Sequence, residues 1–336
     1  MSSLLSNSKI HLKNRLTSIY IIIPETIHSF QFDCNNIKEK FVLINIACYI
    51  IEDTIDKYNL NIDKEKMGKF IENVAIYYHN NYFHNFQHAV NVLQMVWLLL
   101  YNTNVIGKLN ENVLFGLLVA ALCHDIDHPG NTNSYEINSM SKISMLYNDI
   151  SVLENHHCAI TFDLLIKNKI DKDFSLNNFK EFRKTIIDCI LSTDMLKHNE
   201  LIGNFHNFDM SKETYTFEEQ LLVSQIILHC ADLSNIIKNF EDNLYWVKKL
   251  LLEYHHQTLK EEHYGLPILS FMRAQDDISM CKNEINFIKN ISQPLWEIFV
   301  EKNHSICHLN NYITSNLNNW EKLLEEYKKE SSFENM

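Results

Sequence analysis

Glycine and proline are scarce, six and four in a chain of 336 residues. Architectures built from strands and tight turns need those residues at their reversals, so the shortage argues against them. No Cys-x-x-Cys pair or short cysteine framework occurs among the eight cysteines. Cys123, Cys158 and Cys230 sit in apolar runs and read as reduced core thiols of an intracellular protein. Net positive charge is missing as well: the formal charge is −12. That disfavours binding to a phosphate backbone and leaves a nucleic-acid partner without support. No apolar run approaches the roughly twenty residues that span a bilayer, and no signal-peptide pattern opens the chain. The chain as given is expected to be soluble and cytosol-facing. A longer parent with regulatory or membrane-associated segments upstream stays open, as does the oligomeric state.

What is present is helical. Hydrophobic residues make up 46% of the chain, ample for a core. Apolar positions recur at helical spacing over 67–78, at Met67, Phe70, Ile71, Val74 and Tyr77. Further helices are expected over 41–51, 110–123, 151–165, 178–191, 244–254 and 285–300, with a polar one over 319–329. Thr216-Phe217-Glu218-Glu219 is a capping-box pattern that opens another helix, running to Asp232. No alternating strand pattern of useful length appears, and the expectation is all-α. Residues 1–40 read as a partly ordered lead-in interrupted by Pro24, residues 41–328 as one domain, and 329–336 as a tail.

The apolar run 113–123 ends in His124-Asp125-Ile126-Asp127-His128-Pro129-Gly130. Unpaired His and Asp buried beside such a run would cost several kcal/mol. For an isolated pair, a hydrogen-bonded polar cluster at a helix end is compensation enough. Here matching residues recur. His84 and His88 are four apart, a spacing that shares one face of a helix, and His124 and His128 repeat it. Asp232 ends another apolar helix. Two His and two Asp from three helices would close most of a divalent-metal shell and leave positions open for water. A carboxylate can also bridge two cations.

With these blocks in order, the chain resembles the class I cyclic nucleotide phosphodiesterases. The blocks are His84-Asn85-Phe86-Gln87-His88-Ala89, the His124 block, Val152-Leu153-Glu154-Asn155-His156-His157, Ser192-Thr193-Asp194-Met195 and His229-Cys230-Ala231-Asp232-Leu233-Ser234-Asn235. Phe287-Ile288 and Gln293-Pro294-Leu295-Trp296 continue the match. The resemblance implies a compact catalytic domain of the HD type with about sixteen helices, hydrolysing a 3′,5′-cyclic nucleotide to the 5′-monophosphate. It makes His88, His124, Asp125 and Asp232 the ligands of a tight metal, usually zinc. Asp125 would bridge to a second, magnesium or manganese, whose waters rest on His128, Glu154 and Thr193. A hydroxide between the metals would attack phosphorus, His84 would protonate the leaving 3′ oxygen, and Glu253 would orient His84. Leu250 and Phe287 would flank the base, with Asn235 at its edge.

One departure bears on specificity. Where the family places glutamine, this chain has Glu284. An ionised carboxylate only accepts hydrogen bonds, whereas an amide can present either polarity. Guanine offers two donors, N1–H and the 2-amino group; adenine offers one donor and one acceptor. Preference for cGMP over cAMP follows if Glu284 is ionised, while a protonated Glu284 would mimic the amide. The alternatives are dual specificity, a cAMP preference, another His-Asp phosphohydrolase, or an inactive homologue that only binds the nucleotide. Phe83 in place of the usual tyrosine, Ile236 in place of a proline, and the missing Gly-Asp after Gln257 affect loops and pocket walls.

Overall fold

The computed structural model describes residues 10–13, 20–273 and 276–334. The parts of the expected lead-in at 1–9 and 14–19, and of the tail at 335–336, lie outside the described residues. Among the described residues the chain is almost wholly helical. The exception is a small antiparallel hairpin, β1 (Ile10–Lys13) with β2 (Tyr20–Ile23), in which Ile10 pairs with Ile23. Four-residue strands carry too little alternation to show as a pattern in the sequence, and the all-α class stands; the β-branched run Ile21-Ile22-Ile23 favours the extended state.

Fourteen α-helices follow: α1 (Lys40–Lys57), α2 (Lys64–Tyr77), α3 (Phe86–Asn102), α4 (Glu111–Cys123), α5 (Asn133–Asn138), α6 (Lys142–Tyr147), α7 (Val152–Lys167), α8 (Leu176–Leu191), α9 (His198–His206), α10 (Phe217–Asp232), α11 (Phe240–Tyr264), α12 (Asp277–Phe287), α13 (Gln293–Glu301) and α14 (Leu309–Glu334). Their starts are written in the sequence. Asp63, Asn85, Asn110, Thr132, Ser175, Asn239 and Asp276 each cap a helix by accepting from backbone N–H groups of its first turn. Thr216 and Glu219 form the full reciprocal capping box. The helix expected over 285–300 is present but begins earlier, at Asp277, and is not regular throughout. A π-helical stretch, Ile288–Ser292, lies between α12 and α13 without interrupting the helical run, and Pro294 follows it in the first turn of α13.

Helices α3 and α4 form the centre, buried along nearly their whole length. Helix α8 lies tight against α4. Gly116 permits the approach, since a Cβ there would meet Thr185 Cβ at 2.9 Å. Phe115 and Phe182 stack beside it, centroids 5.4 Å apart. Each fully buried Phe or Leu in this layer contributes about 1.5–3 kcal/mol. Residues before α1 join the same core: Ile23, Ile27, Phe32 and Cys34 are buried. The start of α3, the end of α4, the end of α10 and the middle of α11 meet at one place.

Candidate active site

His88 lies in the first turn of α3, just after the cap Asn85; His124 caps the C-terminus of α4; Asp125 follows it; Asp232 is the last residue of α10. His84 precedes α3 and His128 lies beyond α4, so neither spacing of four lies within one helix. That corrects the shared-face reading: loop turns, not helical periodicity, bring these side chains inward.

The four residues converge tightly. His88 Nε2 is 3.0 Å from Asp232 Oδ1 and 3.3 Å from His124 Nε2. His124 Nε2 is 3.1 Å from Asp125 Oδ2 and 3.2 Å from Asp232 Oδ1. His124 Nδ1 donates to the Ala121 carbonyl at 2.9 Å, which fixes the tautomer and turns the Nε2 lone pair toward the cluster. Asp125 Oδ2 is buried and makes no hydrogen bond. A buried, unpartnered carboxylate oxygen facing imidazole nitrogens is a poor arrangement unless a cation sits among them. Two imidazoles and two carboxylates are the donor set that suits zinc or another divalent transition ion. The residues fit a metal.

Beside this cage His84 Nδ1 hydrogen-bonds Glu253 Oε1. Glu253, from the middle of α11, also accepts from the backbone N–H of Phe83 at 2.9 Å and of His84 at 3.2 Å. Burial alone would lower the His84 pKa, but the carboxylates of Glu253 and Asp125 outweigh it and raise it to about 9. Burial opposes ionisation of Glu253, yet the charge and hydrogen bond of His84, then the charge of His128 and the Phe83 N–H, bring its pKa down to about 2. The pair is therefore an imidazolium on a carboxylate at neutral pH. Asn81 ties the two loops together by donating to the carbonyls of His84 (2.9 Å) and His128 (2.7 Å). Gly130 is left-handed and faces Asn81, so no other residue fits that turn easily.

On the other side of Asp125 lie His128 and His157, close enough to form a second group with it. His128 Nδ1 accepts from the Gly130 N–H at 3.0 Å, so a neutral His128 carries its proton on Nε2 and offers a donor, not a lone pair. His157 is the reverse: Nδ1 donates to the Ile126 carbonyl at 2.6 Å, and Nε2 stands 3.9 Å from Asp125 Oδ1. Burial pushes the His157 pKa down to about 4. Glu154, near the start of α7, receives both bonds of the Asn133 amide at 3.0–3.1 Å. Burial, then the charge of Asp194, raises its pKa to about 7. Thr193 is half-buried and donates to the Ile190 carbonyl, leaving its oxygen free to accept. His157 and Asn133 carry no role in the sequence reading. Nothing in a single chain marks which of the adjacent His156 and His157 turns inward.

The residues expected around a base are Asn235, Leu250, Glu284 and Phe287, all partly accessible. Phe287 immediately precedes the π-helical stretch, which re-aims the residues around it. Glu284 accepts a hydrogen bond from Asn243, but burial prevails and raises its pKa to about 7. Asn243 is fully buried and held at both ends: its Oδ1 accepts from Trp320 Nε1 at 2.7 Å, and its amide N–H also reaches the Asn235 carbonyl at 3.2 Å.

A family model described as 3′,5′-cyclic nucleotide phosphodiesterase matches residues 83–313. The chain is 33% identical over 286 residues to the human high affinity cGMP-specific 3′,5′-cyclic phosphodiesterase 9A, covering 83% of this chain and 47% of that one. It is 29% identical to the dual 3′,5′-cyclic-AMP and -GMP phosphodiesterase beta of Plasmodium falciparum, covering 95% of this chain and 29% of that one. It thus spans about half or less of the length of these curated relatives. The crystal structure of the phosphodiesterase domain of the RhoPDE fusion protein from the choanoflagellate Salpingoeca rosetta superposes with a TM-score of 0.85. Sequence identity there is 34%, over 90% of this chain and 97% of that one.

Proposed function

Because the chain belongs to the 3′,5′-cyclic nucleotide phosphodiesterase family, we propose that it hydrolyses a cyclic nucleotide to the 5′-monophosphate and prefers cGMP to cAMP. The observation that carries the reaction is the His84–Glu253 ion pair set beside a four-residue metal cage. His88, His124, Asp125 and Asp232 would hold the tighter ion, taken as zinc, and Asp125 would share a second, magnesium or manganese. When bound, such ions supply an activated water and neutralise phosphate charge. His128 through its Nε2–H, Glu154 and Thr193 would hold solvent around the second position.

The chain's own acid is His84. With Nδ1 engaged by Glu253, the proton available for transfer sits on Nε2 and goes to the departing 3′ oxygen. Glu253 remains ionised throughout, which keeps the acid charged until it is needed. In the base pocket Leu250 and Phe287 flank the ring and Asn235 meets its edge. Glu284, when ionised, takes N1–H and the 2-amino group of guanine. The cGMP-specific name of the human relative agrees with that preference.

Dual specificity has its own support. With a pKa of about 7, Glu284 is partly protonated near neutrality and can then donate to one acceptor of adenine. Turnover of cGMP and cAMP, with divalent metal and after chelation, tests both readings. No metal-dependent hydrolysis of either nucleotide would overturn the enzyme; equal kcat/KM at high pH would overturn the preference.

A further inference from the structure

The segment before α1 is tied to the helices that carry the metal cage. Gln87 on α3 donates to the carbonyls of Cys34 at 3.1 Å and Ile37 at 2.7 Å, and the Asp33 side chain spans both α3 and α11. Its carboxylate accepts from the indole N–H of Trp246 on α11, at 2.9 and 3.1 Å, and from the amide of Asn91 on α3 at 3.2 Å. The next residue returns the grip: the Cys34 N–H donates to Asn91 Oδ1 at 2.9 Å. Lys238, fully buried, donates to the carbonyls of Phe30 and Phe32 and lends positive charge to Asp33.

Both clamped residues lie on faces that carry the chemistry. Asn91 is three residues after His88 on α3, and Trp246 is seven before Glu253 on α11, so each pair shares one helical face. The Trp246 ring packs edge-on against Phe83 at 5.6 Å and lies 6.1 Å from the His88 ring. Phe83 in turn touches the rings of both His84 and His88 at 4.8 Å, and its N–H holds Glu253. We propose that Asp33 is a positioning residue for the active site: by cross-linking α3 and α11 it sets where His88 stands in the metal cage and how Glu253 meets His84. The strap before α1 is then part of the catalytic unit and gives any upstream segment a direct mechanical route to it.

This rests on the proposed roles of His88 and His84, and the test separates the two. Zinc affinity of the metal-stripped chain, by competition with a chromophoric chelator, is measured beside Tm, kcat and KM. Asp33→Ala is expected to lose about tenfold in zinc affinity and in kcat, the order seen when a group orienting a ligand is removed, with KM within about twofold. Asp33→Asn still accepts from the indole and should stay within about threefold of the parent. Trp246→Phe keeps the ring and loses the N–H, so it should reproduce the Asp33→Ala loss and serves if that variant fails to fold. Gln94→Ala cuts the strap elsewhere, at the carbonyls of Ile27 and Ser29, and should lower Tm alone. The proposal fails if Asp33→Ala or Trp246→Phe moves only Tm, or if Gln94→Ala costs as much zinc affinity. Should the parent show no turnover, the zinc arm still decides the role of Asp33.

Discussion

His84 and His128 stack face to face, ring centroids 4.0 Å apart and planes 21° from parallel. Two imidazolium ions at that distance repel, so the stack favours one charge. Glu253 decides which ring bears it: His84 is pushed up to about 9, while burial and the His84 charge drive His128 well below its ordinary value. The stack thereby keeps one charged and one neutral imidazole on adjacent rings, as the roles proposed for His84 and His128 require.

Glu253→Gln removes the carboxylate that holds the His84 proton. The His84 pKa must fall, so the alkaline limb of the kcat–pH profile moves to lower pH and kcat at pH 8 drops by about ten- to a hundredfold. His84→Asn should cost more, about 10²–10⁴-fold. Neither residue belongs to the four-ligand cage, so zinc affinity should hold in both. A parallel loss of zinc would show that Glu253 acts on the cage rather than on the acid.

Metal removal should be felt in stability as well as in turnover. Asp125 Oδ2 has no hydrogen-bond partner, and the imidazole nitrogens of His88 and His124 face each other at 3.3 Å. A bound ion compensates all of these, so chelation should lower Tm and zinc should restore it. Asp232→Asn is expected to lose at least about a hundredfold in zinc affinity. A chain whose Tm ignores chelator would refute the cage.

The helical class and most helix starts are legible because capping residues and apolar spacing are local signals. Thr216-Phe217-Glu218-Glu219 announces α10, and the buried run 113–123 announces α4. Less legible is how the site is assembled. His84 and His128 look like helix-face partners of His88 and His124, yet each sits in a loop whose turn is set by Asn81 and Gly130, and loop geometry leaves no periodic trace. Positions such as Asn133, His157 and Asn243 matter through partners 21, 31 and 77 residues away, Glu154, Ile126 and Trp320, and no window along one chain contains both ends. The π turn at Ile288–Ser292 is equally silent, since the helical run continues on both sides of it.

Gly116→Ala tests the packing that carries the cage. The added methyl meets Thr185 Cβ at 2.9 Å, Thr185 Cγ2 at 3.0 Å and the Phe182 carbonyl at 3.2 Å, between the buried α4 and the buried face of α8. Overpacking of this kind costs about 1–3 kcal/mol. The midpoint in urea should fall accordingly, while kcat below the transition changes little. An unchanged midpoint would mean that α4 and α8 can part without cost.

The role proposed for Glu284 ties specificity to pH. Burial raises its pKa to about 7, above the ordinary value near 4.3 for an exposed glutamate. The folded chain therefore binds a proton that the unfolded chain releases, and the sign follows: this stabilisation is complete below the unfolded pKa and is lost as pH rises through 7. Glu284→Gln should gain stability relative to the parent between pH 5 and pH 8, read as a widening Tm difference. Recognition moves the other way. Ionisation supplies two acceptors for guanine and removes the donor that adenine needs, so the cGMP/cAMP ratio of kcat/KM should climb from pH 6 to pH 8 by about five- to tenfold, the order of one unmatched hydrogen bond. In Glu284→Gln the ratio should be flat with pH, because an amide does not titrate. A parent whose ratio is equally flat would show that Glu284 does not read the base.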